Sequence, residues 1–441
     1  MKKKVLSLLM ATAMVASLAG CGGNAANTDG NNSSATDGNN SSAPNKESSA
    51  TDGAGNTGTD VRDVALTVWS PSEDQSDEWG NWLGTMCDKF NEAHPEWNIT
   101  FTYGVCAEGD AKATITQDVE AAADVYMYAN DNLPELVANN AIAELGGSTL
   151  DYINSEIPQS LIDSVTIDGA VYGIPYAANG WYMYYNKSLL SEDDIKSFEA
   201  MLEKGKVAFP IANGWYNAAF YIANGCSFFG TGTDEAAGID LNGDKAVAVT
   251  DYLVDLAANP NFVYDNAGEG LAGMADGSVV AIFGGDWMYN DVVKAVGEEN
   301  VGAAQLPTVN IGGEDKTLKA FFGSKAIGVN PNCDDMEVAV ALAAYLGGEE
   351  AQLAHYQMRN IIPANLKLME DEAVKSNVIA MASASCIANT SFMQPFCAAM
   401  GNWWSPAENF GKSIMSGEVT HDNAAEKTES FNASVNGSVV D

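Results

Sequence analysis

From Leu66 to Tyr128 the hydrophobic period switches repeatedly between two and 3.6 residues, which restricts the chain to a layered α/β architecture. Leu66-Thr67-Val68-Trp69 reads as a strand. Trp79, Trp82, Leu83, Met86 and Phe90 recur at helical spacing over residues 77–92, and Pro95 stops the helix. Trp97, Ile99, Phe101 and Tyr103 alternate as a second strand. The alanine-rich stretch 111–123 is expected to be helical, and residues 124–128 form a buried third strand. Asp168-Gly169 between two apolar runs marks a hairpin turn. Residues 181–185 form another strand. Strands near 206–211, 278–283, 301–305 and 319–329 then alternate with helices near 194–204, 244–258 and 287–297. From Met336 onward the pattern is helical, in segments 336–346, 349–358, 370–385 and 395–415. A mostly parallel sheet covered by helices is expected. Cores divide beyond about 250 to 300 residues, so this length predicts two α/β lobes with ligand between them, at strand ends.

The first 60 residues stand apart. Lys2, Lys3 and Lys4 precede an apolar run over residues 5–16, and small residues follow, which is the layout of an export signal too short to span a bilayer. Leu18-Ala19-Gly20-Cys21 resembles the lipobox of bacterial lipoproteins, in which Cys21 receives a diacylglyceryl group and becomes the mature N-terminus. Two acyl chains suffice for stable anchoring. Residues 22–60 hold no apolar side chain larger than alanine except Pro44, and the octad at 28–35 recurs at 36–43. Such a tract cannot bury enough surface to offset chain entropy, so it reads as a disordered tether with a mean reach of about 30 to 40 Å.

Nearly all of the formal charge of −38 belongs to residues 61–441. A field of that sign repels phosphate backbones and anionic headgroups, so neither nucleic acid nor a peripheral membrane surface is an expected partner of the folded part. Three histidines and seven cysteines without a Cys-x-x-Cys pair give no zinc or dithiol centre. The six cysteines after Cys21 are expected to be buried free thiols, with Cys386 and Cys397 the closest pair in sequence. No Gly-x-Ser-x-Gly turn accompanies His94, His355 or His421, and no phosphate-binding glycine loop follows a strand. Asp240-Leu241-Asn242-Gly243-Asp244 resembles a fragment of a calcium loop, but Asp244 is better placed to cap the helix that follows. No metal and no cofactor are expected.

Aromatic residues carry the clearest functional signal. Trp69, Tyr128, Trp181, Trp215, Tyr216, Trp287, Trp403 and Trp404 lie at strand ends or helix starts, several flanked by Gly, Asn or Asp, where an ordinary core residue is poorly placed. Flat rings beside amides and carboxylates suit a sugar, whose C–H face stacks on the ring while its hydroxyls find polar partners. Candidate partners are Glu73 and Asp74 after the first strand, Glu108 and Asp110 after the second, and Asn130 and Asp131 after the third. Paired carboxylates also suit a glycoside hydrolase, and a static glycan-adhesion module is a third possibility.

Three segments then show a resemblance: Tyr172-Gly173-Ile174-Pro175-Tyr176-Ala177 followed by Tyr184-Tyr185-Asn186-Lys187; the weak apolar strand Gly277–Trp287 with its glycines; and Ile361-Ile362-Pro363-Ala364-Asn365. In that order and spacing the chain resembles the maltose- and maltodextrin-binding proteins of bacterial ABC importers, within family 1 of the extracellular solute-binding proteins. The resemblance implies a type II periplasmic-binding-protein-like fold of two hinge-connected α/β lobes. It places lobe 1 at 61–178 plus about 324–360, and lobe 2 at about 179–323 plus 361–441. It also implies that sugar stacks on Tyr128, Trp215, Trp287 and Trp404, with polar contacts from Glu73, Asp74 and Asp131. An Asp-Arg pair of the family reads Asp131-Asn132 here, and two second-lobe glutamates read Asn179 and Asn213, which alters the hydrogen-bond pattern and leaves stacking intact. The implied protein is a monomer outside the cytoplasm, lipid-anchored to the cell membrane. It captures a malto-oligosaccharide, or another neutral oligosaccharide, and hands it to a membrane permease without catalysis.

Overall fold

Strand β1 (Arg62–Ser70) buries Val64, Leu66 and Val68 on one face, the alternation its sequence carries. The structure is a computed structural model and describes residues 61–232 and 234–437. The export signal, Cys21 and the tether lie outside the described residues. Helix α1 (Trp82–Ala93) starts later than the apolar spacing predicts. Gly80 and Asn81 both take positive φ, 87° and 45°, and the Asn81 side chain accepts from the Gly84 N–H at 3.3 Å, so a cap interrupts the run and leaves Trp79 in a separate turn. Of the expected helix at 111–123 only Ala111–Ile115 forms.

The first sheet pairs β1 in parallel with β2 (Trp97–Val105) and with β3 (Val125–Ala129). The second sheet uses β5 (Tyr182–Asn186), β6 (Lys206–Phe209), β7 (Phe262–Tyr264), β8 (Val279–Gly284) and β9 (Val301–Ala304), in the order β7-β6-β8-β5-β9. The long strand β10 (Ala320–Val329) returns to the first sheet, where it pairs antiparallel with β3 and with β4 (Ile174–Gly180), and in parallel with β11 (Ser391–Met393). Both sheets are therefore mixed rather than mostly parallel. β5 and β10 arrive from the other lobe instead of through a covering helix, so no right-handed crossover forces them parallel. The expected hairpin is present: Asp168 and Gly169 have φ of 52° and 84° between the short pair Thr166–Ile167 and Ala170–Val171.

Two hydrophobic cores result, which makes the fold a two-lobed α/β structure. One gathers Val64 to Ala177, Phe322, residues from Ala326 to Ile361, and Ala364; the other gathers Trp181 to Phe321, then Ile362 and residues from Ile379 to Val435. The chain passes from one core to the other between Ala177 and Trp181, between Phe321 and Phe322, and between Ile361 and Ile379, where Ile362 joins the second core and Ala364 the first. The second core is covered by α2 (Gly214–Ala223), α3 (Asp244–Ala258), α4 (Tyr289–Val296), α7 (Val378–Ser385), α8 (Gly401–Met415) and α9 (Ala424–Val435); α5 (Met336–Leu346) and α6 (Glu349–Arg359) cover the first.

Three local expectations change. Asp244 makes no capping bond: Gly243, at φ 72°, precedes α3, while Asp240 accepts from Asn242 and pairs with Lys245 at 2.7 Å. The late region is not wholly helical, because residues 391–393 form the strand that edges β10. The helix expected at 395–415 starts at Gly401. The six described cysteines are unpaired, Cys386 and Cys397 included.

Candidate functional site

In the first sheet the parallel strands β1, β2 and β3 end on the same side, and the residues just beyond them meet in a cleft of about 510 Å³. Glu73 and Asp74 follow β1, Glu108 and Asp110 follow β2, and Asp131 follows β3. The second lobe supplies the facing wall. Trp287 follows β8, Asn213 and Trp215 begin α2, and Trp404 projects from α8. Asn213 caps α2 by accepting from the Trp215 N–H at 2.9 Å, which fixes the backbone that presents the ring. Trp215 and Trp287 have ring centroids 5.9 Å apart at 35°, and the Trp215 Nε1–H donates to Gln394 Oε1 at 2.8 Å. Asn179, late in β4, lines the cleft at the crossing between lobes.

The cleft floor is a network of buried charges. Asp74 accepts from Arg359, and its Oδ1 lies 2.9 Å from His355 Nε2. Burial alone raises the Asp74 carboxyl, but His355, Arg359 and Lys325 outweigh it and hold the group below its ordinary pKa. His355 stacks on Trp82 at 4.1 Å and 14°. Lys325 Nζ sits 3.4 Å from Glu108 Oε1, which also accepts from the Tyr176 hydroxyl at 2.8 Å. Burial lowers the Lys325 pKa, yet Glu108, Asp286 and Asp74 raise it beyond the usual lysine value. Asp131 behaves oppositely. Its desolvation outweighs Lys112, Asn132 and Gln394, and its carboxyl is pushed up to about 6. Such a floor offers fixed acceptors and donors to hydroxyl groups, and the opposite wall offers flat apolar rings.

Ten of the candidate residues therefore line one cleft: Glu73, Asp74, Glu108, Asp110 and Asp131 of the first lobe, and Asn179, Asn213, Trp215, Trp287 and Trp404 opposite or at the crossing. Five others do not. Tyr128 is fully buried in the first core, with its hydroxyl against Gly173, where an added Cβ would lie 2.3 Å away. Trp181 is packed among Tyr216, Phe209 and Phe283. Tyr216 backs Trp215 from the core side at 84°. Trp403 is buried, with its Nε1–H donating to the Gly214 carbonyl at 2.8 Å. Trp69 lies across the first sheet against Gly104, where any Cβ would meet its ring at 2.3 Å. These rings pack rather than present a face, because neighbours along a helix or strand point in different directions.

Sequence reasoning overlooked Tyr176, Lys325, His355, Arg359 and Gln394, all of which line the cleft. A signal existed for two of them. Lys325 is the only charged residue in the wholly buried strand Ala320–Val329, and Arg359 is one of two arginines in the chain.

Comparison with known proteins adds family and relatives. The model of the bacterial extracellular solute-binding protein family matches residues 85–382. One solved structure, described as "with acarbose", is 53% identical, covers 85% of this chain and 98% of that one, and superposes with a TM-score of 0.83. A maltooligosaccharide ABC transporter solute-binding lipoprotein of Streptococcus pneumoniae is 26% identical over 74% of this chain and 79% of its own length. The maltodextrin-binding protein MdxE of Bacillus subtilis is 26% identical over 69% of this chain and 75% of its own. With two lobes, a cleft at their strand ends and a match spanning most of its folded length, this chain belongs to the bacterial extracellular solute-binding protein family.

Proposed function

We propose that the chain is the solute-binding component of an ABC sugar importer. It captures a neutral oligosaccharide, foremost a malto-oligosaccharide, between its lobes and delivers it to a membrane permease. One observation carries the reading: Trp215, Trp287 and Trp404 face Glu73, Glu108, Asp110 and Asp131 across a single cleft. That pairing of stacking surface with hydroxyl partners is what a pyranose chain requires. The relative described with acarbose and the maltooligosaccharide and maltodextrin relatives support the α-glucan assignment. The lobes are 61–178 with about 324–360, and about 179–323 with 361–441. Ligand contacts to both favour the closed arrangement by their differential affinity. The chain acts as a monomer without catalysis, outside the cytoplasm, held by acyl chains on Cys21.

Thermal-shift measurements against glucans, xylans and galactans test the sugar class, since a ligand preferring the folded state raises the melting temperature by mass action. Malto-oligosaccharides are expected to give the largest shift. A larger shift with a galactan or xylan replaces the α-glucan assignment, and shorter products from maltoheptaose replace the binding reading with a hydrolase.

A further inference from the structure

We propose that Lys325 is a positioning residue that couples the stacking ring Trp287 of one lobe to the hydroxyl acceptor Glu108 of the other. The proposal rests on the sugar-binding reading above and deepens it. Lys325 stands on β10, the strand that leaves the second core at Phe321 and enters the first at Phe322. Its side chain is 7% exposed, and its ammonium meets three groups: Glu108 Oε1 at 3.4 Å, Asp286 Oδ1 at 3.9 Å, and the Trp287 ring at 4.8 Å from the centroid. Glu108 follows β2 in the first lobe. Asp286 and Trp287 follow β8 in the second. One buried cation therefore touches an acceptor of one lobe and both an acceptor and a ring of the other.

Each partner depends on it. Asp286 is buried; its Oδ2 accepts from the Ile362 N–H at 3.2 Å, at the last crossing between cores. Its Oδ1 has no hydrogen-bond partner, and the Lys325 ammonium is the cation facing it. A buried carboxylate without a counter-charge is costly, so Asp286 and Lys325 hold each other in place. An ammonium over an indole is attracted by the ring quadrupole and resists ring reorientation. Glu108 is pinned between Lys325 and the Tyr176 hydroxyl. The pairing of β10 with β4 also shifts register between Lys325 and Ala326, an irregularity of the kind that re-aims a side chain. A sugar that stacks on Trp287 and bonds to Glu108 thus meets two surfaces whose separation Lys325 sets, without Lys325 supplying the stacking face.

The test compares the parent with Lys325→Met, Asp286→Asn and the double variant by titration calorimetry with maltotetraose. Tryptophan emission is recorded without sugar, in the parent and Trp287→Phe backgrounds. Each single substitution is expected to weaken binding roughly 10- to 100-fold, by the usual loss on breaking a buried charge pair. The double variant is expected to bind no worse than the weaker single. Lys325→Met should shift the emission in the parent background and not in Trp287→Phe. Parental affinity in Lys325→Met, additive losses, or an emission shift that survives Trp287→Phe overturns the proposal. Asp286→Asn is nearly isosteric, so if Lys325→Met fails to fold, parental affinity in Asp286→Asn overturns it equally. A parent that binds no neutral oligosaccharide overturns the sugar reading and this coupling together; a parent that binds, beside a Lys325→Met that binds as well, overturns the coupling alone.

Discussion

Consecutive residues on a helix point about 100° apart, and Trp403 and Trp404 divide accordingly. Trp403 enters the second core and donates to Gly214, whereas Trp404 lines the cleft. Their alanine variants should separate. Trp403→Ala is expected to lower unfolding stability by about 3 to 5 kcal/mol, as large-to-small core changes do, while leaving the folded fraction able to bind. Trp404→Ala should keep the urea midpoint and weaken maltotriose binding by about 1 to 3 kcal/mol, the scale of stacking a flat ligand on an aromatic ring. Urea titration and calorimetry on both variants check the split. Asp131 supplies a pH test. Its folded pKa of about 6 lies above the ordinary 3.8, so the folded state holds a proton that the unfolded chain releases, and stability falls as pH rises between those values. Asp131→Asn is expected to raise the melting temperature near pH 7.5 and to give no gain near pH 4, which differential scanning calorimetry reads directly. At this scale the sequence marked candidate rings and acids but could not tell a cleft ring from a core ring. Trp215 with Tyr216, like Trp403 with Trp404, differ only in direction, and direction comes from packing. The floor residues Lys325, His355 and Arg359 were missed because they acquire meaning only when β10 and α6 bring them to Asp74 and Glu108.

Helix α6 shows what an element adds. His355 and Arg359 are one turn apart, so both reach Asp74 from one helix face. Arg359→Met is expected to cost about 3 to 5 kcal/mol, because it strips a buried carboxylate of its guanidinium partner; chemical denaturation measures the loss. Element order along the chain was largely legible. The strands beginning β1, β2, β3, β6, β8 and β9 fall close to the apolar runs that announced them, and the Asp168-Gly169 turn follows from its dipeptide. The misses have local causes. Asn81 caps α1 from a left-handed conformation inside an unbroken apolar spacing, and β11 is a three-residue edge too short to announce itself amid helices. The antiparallel course of β10 was not legible, since its partners lie about 150 to 200 residues earlier.

For the whole molecule, the two-lobed arrangement followed from length and alternation, whereas the division of the chain between lobes was expected from the family resemblance and not from composition or periodicity. Sugar contacts shared by both lobes are expected to reduce the radius of gyration, and solution scattering with and without maltotriose checks this; an unchanged profile points to a static adhesion module. Strand β1 belongs to the first core, whereas α9 packs into the second through Phe431 and Val435. The two described ends therefore ride on different bodies. Fluorophores placed at Val61 and Asn436 would convert any rotation of one body against the other into a change in energy-transfer efficiency, so the fold comes already wired as an optical reporter of its own occupancy.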